Sequence, residues 1–204
     1  MLSQLWLRWG SLLLLTVSLW QLVTMTRGTR WTWGRVIRRG LSGQIGAGTW
    51  HGSPNAFDFS RLEPGDIVIG GNPGASWGHY THATLYLGEG QVMETLLRQG
   101  VSLGPVTRYN DYTWAGALRV RVPAEVRAAA VAAARRLAGL PFYLLAPRRS
   151  PEWFYCSKIV WWAYRQAGVD LDPAGGFWMV PDRFFQCDRI EPLRGTPPPP
   201  AVGP

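Results

Sequence analysis

Cysteine is scarce in this chain: Cys156 and Cys187 are the only two in 204 residues. That excludes a disulfide-stapled scaffold and leaves the redox compartment unreadable. Histidine is nearly as scarce, with His51, His79 and His82 the complete set. Any imidazole chemistry therefore has few possible sources. Lys158 is the single lysine among 21 basic residues. Acidic residues are missing from the first forty positions, where six arginines lie. From residue 41 onward fifteen basic residues face thirteen acidic ones, a balance of +2 within a total of +8. That part is close to neutral and lacks the basic footprint of a nucleic-acid-binding surface.

The length suits one domain with a real core. Between Arg8 and Arg27 run eighteen uncharged residues, WGSLLLLTVSLWQLVTMT. As a helix they span ~27 Å, and Arg8 can snorkel to lengthen the span. Trp6, Trp9, Trp20, Trp31 and Trp33 crowd its ends as interfacial aromatics do. Residues 5–26 are read as a single-pass membrane anchor. A cleaved signal peptide is the alternative, but no A-x-A-like site follows the apolar run. Five arginines after the span against one before it would keep the domain cytoplasmic. The export side stays open, because the N-terminal tail is short.

Residues 27–61 are basic, then rich in glycine and serine, and read as a juxtamembrane linker. A globular domain is expected over 62–191, and a disordered proline-rich tail over 192–204. LEPGDIVIGG opens the domain with a turn and a short apolar strand, and the loop GGNPGASWGHYT follows. THATLYL and QVMETLL flank Gly88-Glu89-Gly90 as a β-hairpin. ALRVRVP is a further strand. PAEVRAAAVAAARRLAG is the clearest helix, with proline near its start and Gly139 as its stop. A second helix starts at Cys156, with Ile159, Val160, Ala163, Tyr164 and Ala167 at helical spacing and Gly168 as its cap. The pattern is α+β: a small, mostly antiparallel sheet with two packed helices.

A lone cysteine is usually a small buried hydrophobe. Cys156, however, stands at a helix N-terminus, where unpaired N–H groups and the helix dipole favour a thiolate. A nucleophilic cysteine also needs a base. His82, at the head of a strand, is the better placed histidine. A histidine base works best with a third polar group fixing its ring. His82, Thr84 and Tyr86 share one strand face. If the hairpin closes through a three-residue loop, Gly88–Gly90, then Leu87 pairs with Gln91 and Glu94 sits opposite Thr84. Glu94 is then diagonal to His82, ~7–8 Å away between backbones, a gap that the two side chains can bridge. A two-residue loop would turn Glu94 to the other face.

PGDIVIGG, HATLYLGEGQVMETL, a GV-x-L turn at Gly100–Leu103 and FYCSKIVWWAYRQAGVDLDP together resemble the NlpC-type papain-like hydrolases in circularly permuted form. The histidine precedes the cysteine, as in YiiX-like proteins and the lecithin:retinol acyltransferase group. The resemblance covers roughly residues 62 to 190, with VPDRFF as its trailing segment. It implies Cys156 as nucleophile, His82 as base and Glu94 as the third polar residue. It departs from the family in two places. Lys158 stands where an acid often follows the cysteine; it would either favour the thiolate further or point to solvent, and the solvent-facing reading is preferred. Glu94 is an acid where many members have His, Asn or Gln, and a carboxylate keeps the role by stabilising the imidazolium.

His79 and Tyr80 are placed at the cleft mouth as substrate contacts, and Tyr155 as a substrate contact or a packing residue. The His79-x-x-His82 pair points to opposite strand faces, so no metal site is expected. Gly70–Gly78 lacks the strand-to-helix context of a phosphate loop. Cys187 reads as structural. Trp153, Trp161, Trp162 and Trp178 read as core or apolar rim, with a membrane-facing patch possible. The expected chemistry is an acyl-cysteine cycle on an amide or ester, with no metal or organic cofactor. Its substrate is an acyl-amide, a peptide or a lipid, handled by a hydrolase or an acyltransferase. A membrane-tethered binding module without turnover is the alternative of another class.

Overall fold

A computed structural model describes residues 55–200 apart from Leu145 and Phe177, together with Leu41, Gly48 and Thr49. The expected membrane span at 5–26 lies outside the described residues. Among those described, no helix is long and apolar enough to cross a membrane.

Six strands form one sheet: β1 Ile67–Gly71, β2 His82–Gly88, β3 Gln91–Leu96, β4 Gly100–Pro105, β5 Trp114–Val120 and β6 Ile190–Pro192. Their order is β4-β3-β2-β1-β5-β6, with every neighbouring pair antiparallel. The central strand β1 is buried along its whole length. Its unbroken apolar run fits a strand covered on both faces. On one face Ile67, Ile69, Leu85 and Met93 meet the helices. On the other, Val68, Tyr86, Val92 and Tyr109 form a second cluster, with Phe57 and Phe59 packed against it.

The helices are α1, Ala124–Arg135, and α2, Cys156–Gln166. Ala130, Ala133 and Ala134 are buried where α1 approaches its neighbours, and small side chains permit close helix contact. Ile159, Val160, Ala163 and Tyr164 form the buried face of α2. Burying each of the larger ones contributes about 1.5–3 kcal/mol. The Tyr164 hydroxyl donates to the Gly65 carbonyl at 2.6 Å, fastening α2 to the entry of β1. Gly168, at φ +82°, ends the helix as the sequence predicts.

The hairpin closes differently from the expectation, yet reaches the same register. Its turn is two residues, Glu89-Gly90, both at positive φ (53° and 71°), with Gly88 opposite Gln91. The register then shifts between Tyr86 and Gly88, so Leu85 faces Met93 and Tyr86 faces Val92. The irregularity at Leu87 restores the residue that the shorter turn removes, and the same register sets Glu94 opposite Thr84.

Three further differences appear. The expected turn at Gly100–Leu103 is strand β4. The end of the expected linker is packed: Asn55 Nδ2 donates to the Tyr109 and Tyr112 carbonyls at 2.7 and 3.0 Å. The proline-rich segment, expected to be disordered, is held as far as Pro197. Thr196 Oγ1 accepts from the Ala117 N–H and donates to its carbonyl, both at 2.9 Å.

Candidate active site

Cys156 is the first residue of α2, after an extended Tyr155 (φ −128°, ψ 168°) that offers no side-chain cap. The first turn therefore keeps its N–H groups for the space around the sulfur. The thiol is half-buried, whereas Cys187 is buried. Cys156 Sγ lies 3.9 Å from the Thr81 carbonyl, which brings it to the head of β2, where His82 begins the strand.

His82 meets the cysteine on one side and a carboxylate on the other. Its Nε2 is 3.6 Å from Glu94 Oε2, and Glu94 is buried to 1% side-chain exposure. Arg108 holds the other carboxylate oxygen, Oε1. Gly104 on β4 makes room for this arrangement, since a Cβ there would stand 2.0 Å from Glu94 Oε1. The Tyr109 and Tyr112 rings, 5.3 Å from each other, both lie near-parallel to the imidazole, with centroids 6.0 and 6.2 Å from it. The Tyr109 hydroxyl donates to Thr84 Oγ1 at 3.0 Å, which fixes that ring.

The electrostatics follow from these neighbours. Burial alone would lower the His82 pKa. Tyr112, the hydrogen bond with Cys156, Glu94 and the thiolate charge outweigh burial and hold it well above its ordinary value. Burial pushes the Cys156 thiol up. The hydrogen bond and charge of His82, with the N–H groups of Ala83 and Ser157, bring it below its ordinary value. Opposite shifts on touching partners favour a thiolate–imidazolium pair.

A cleft of about 300 Å³ opens on this pair. Trp77, Thr81, Thr95 and Leu97 contribute to its lining from the sheet side, and Phe142, Leu144, Tyr155 and Trp178 from the helix side. Tyr155 is buried, and its hydroxyl accepts from the Met179 N–H at 3.1 Å. It serves both as a lining residue and as a tie between α2 and the 178–181 segment.

His79 and Tyr80, expected at the cleft mouth, lie elsewhere. The His79 ring stacks on Trp114 at 4.1 Å, and burial lowers its pKa. Tyr80 is fully buried against Phe185, with its hydroxyl donating to the Pro197 carbonyl at 2.6 Å. The reason is Asp182 of VPDRFF, whose carboxylate accepts from both the His79 and Tyr80 N–H groups at 2.8 Å. That clamp fixes the backbone at His79 and Tyr80 against the 181–186 turn and turns these two side chains away, while Trp77 and Thr81 of the same loop still line the cleft.

Lys158 is also corrected. It is fully buried, and its Nζ donates to the carbonyls of Pro147, Ser150 and Trp153, each at 2.7 Å. Burial lowers its pKa to about 8. It fastens the 147–153 loop to α2 instead of meeting solvent. Arg108, Tyr109 and Tyr112 escape the sequence reading because a short 3-10 segment, Val106–Asp111, carries no periodic signal. Tyr109 and Tyr112 are three residues apart, the spacing that aligns side chains along a 3-10 turn, and that was the available clue.

No family model matches the chain. It is 31% identical over 110 residues to the gamma-DL-glutamyl hydrolase of Bacillus subtilis (strain 168), covering 52% of this chain. The match spans only 26% of that relative's length. In structure the chain is similar to the metalloprotein YiiX of Escherichia coli O157:H7. The TM-score is 0.55 at 16% identity, covering 65% of this chain and 97% of YiiX. The fold is YiiX-like. Both similarities fit a YiiX-like, NlpC-type family, and the sequence relative is a hydrolase. YiiX is described as a metalloprotein. Among the residues described here, no three His, Cys, Asp or Glu side chains group as metal ligands would.

Proposed function

We propose that the chain is a cysteine hydrolase that cleaves an amide or ester bond through an acyl-cysteine intermediate. The observation that carries this reading is the run of contacts from Cys156 through His82 to Glu94. With Nε2 turned to Glu94, Nδ1 of His82 is left for the thiol. The Cys156 thiolate attacks the substrate carbonyl, and the C–S bond forms as the carbonyl becomes an oxyanion. The first N–H groups of α2 supply positive potential beside it. His82 delivers its proton to the departing amine or alcohol as the C–X bond breaks. It then takes a proton from water, which attacks the thioester and releases the acid. Glu94 holds the ring and stabilises its charged form.

The order of histidine strand before cysteine helix supports a permuted NlpC-type arrangement. The apolar run at 5–26 supports a membrane anchor ahead of the catalytic unit. Intact-protein mass spectrometry after exposure to activated acyl esters tests the reading. A single acyl adduct is expected on the wild type and none on Cys156→Ser. An adduct on the Cys156→Ser variant, or none on either protein, contradicts it.

A further inference from the structure

The lining of the cleft bears on what it accepts. Apart from the His82–Cys156 pair, no described lining residue is charged. The walls are Trp77, Leu97, Phe142, Leu144, Trp178 and Met179. Three of the domain's less exposed cations are already engaged. Arg108 is spent on Glu94, Lys158 on three carbonyls, and Arg148 on Asp172. A glutamyl substrate brings a free α-carboxylate and an α-amine, which this cleft would strip of water without offering a partner.

Outside the His82–Cys156 pair, one described lining residue carries a buried polar atom without a hydrogen-bond partner. Thr95, 2% exposed, has a buried Oγ1 with no hydrogen-bond partner, and the residue lines the cleft. A neutral hydroxyl can serve an uncharged carbonyl, amide or ester group without needing a counter-ion. At the rim Leu97 is 79% and Leu144 39% exposed. Tyr143, beside Leu144, packs on the exposed Trp153 at 5.5 Å. The apolar surface thus continues out of the cleft.

We infer that the cleft takes an uncharged apolar acyl group, an aliphatic or aryl amide or ester, and rejects glutamyl-type acyl groups. This rests on the proposed hydrolase reading and narrows its substrate. It also sets the chain apart in specificity from the gamma-DL-glutamyl hydrolase it partly resembles. Apolar walls bind the chain and Thr95 meets a neutral polar group beside the scissile bond. Acylation forms the Cys156 thioester and expels the alcohol or amine with a proton from His82. Water then returns the free acid.

The test is kcat/KM of the full chain on 4-nitrophenyl esters, with the Cys156→Ser rate subtracted. Acetyl, butanoyl, pentanoyl and octanoyl esters are compared with glutaryl and γ-glutamyl esters. Each methylene that enters the cleft is expected to raise kcat/KM roughly fourfold, until the cleft is full. The glutaryl ester should fall tenfold or more below the pentanoyl ester. Leu97→Asp, at an exposed position that folding tolerates, should lower octanoyl turnover more than acetyl turnover. Cys156-dependent turnover that is flat with chain length, or fastest on the charged esters, overturns this inference and leaves the hydrolase reading standing. Absence of any Cys156-dependent turnover overturns both.

Discussion

His82 and Glu94 sit on adjacent antiparallel strands with 3.6 Å between Nε2 and Oε2, and the carboxylate is all but sealed from solvent. A buried carboxylate beside an imidazole favours its charged form. In Glu94→Gln that charge is gone, so the His82 pKa falls and the alkaline limb of kcat/KM moves to lower pH. The rate at the optimum should drop by roughly 10- to 1000-fold as ring orientation loosens. A pH–rate profile on one ester checks both effects.

Gly104 tests the same contact from the other side. Its φ is ordinary, so the residue is glycine for space alone: the Glu94 carboxylate fills the position of a Cβ. Gly104→Ala should push Glu94 off His82 and cut kcat/KM by about tenfold or more. The cleft walls are untouched, so KM should change little. A rise in KM at constant kcat would place the residue in binding instead.

The convergence of Cys156, His82 and Glu94 was legible in the sequence because it depended on two strong local signals. A cysteine opened an amphipathic helix, and a histidine and a glutamate stood twelve residues apart across a hairpin. The hairpin also shows the limit. The turn is one residue shorter than expected, and an irregularity at Leu87 compensates. Register is set by which side chains the two faces must bury, so it survived a wrong turn length. Residues in irregular segments were not legible. Arg108 and Tyr112 come from a 3-10 stretch and its flank, and Tyr80 was misplaced because Asp182, a hundred residues away, redirects its loop. Lys158 was misread since charged residues seldom lie fully buried. Here three carbonyls from one loop stand in for water.

That loop makes Lys158 a stability determinant. Lys158→Met leaves the Pro147, Ser150 and Trp153 carbonyls without their donor, at a cost of about 2–4 kcal/mol. Denaturant unfolding measures it, with earlier proteolysis expected between residues 147 and 153. The sign with pH follows from the lowered pKa of about 8. Between that value and ~10.4, the ordinary lysine pKa, the unfolded chain binds more protons than the folded one. This group's contribution therefore rises as pH rises through that window. The trend should vanish in Lys158→Met.

The most direct measurement is the rate of iodoacetamide alkylation at each cysteine as a function of pH. It is followed by peptide mass spectrometry in the wild type and in His82→Ala. Activation by His82 predicts that Cys156 reacts at about pH 6 nearly as fast as at about pH 9, while Cys187, whose thiol is raised by burial, stays slow throughout. His82→Ala should slow Cys156 at least tenfold at the lower pH and return it to the pH dependence of an ordinary thiol. Matching rates at the two cysteines, with ordinary thiol pH dependence and no response to His82→Ala, would contradict an activated nucleophile.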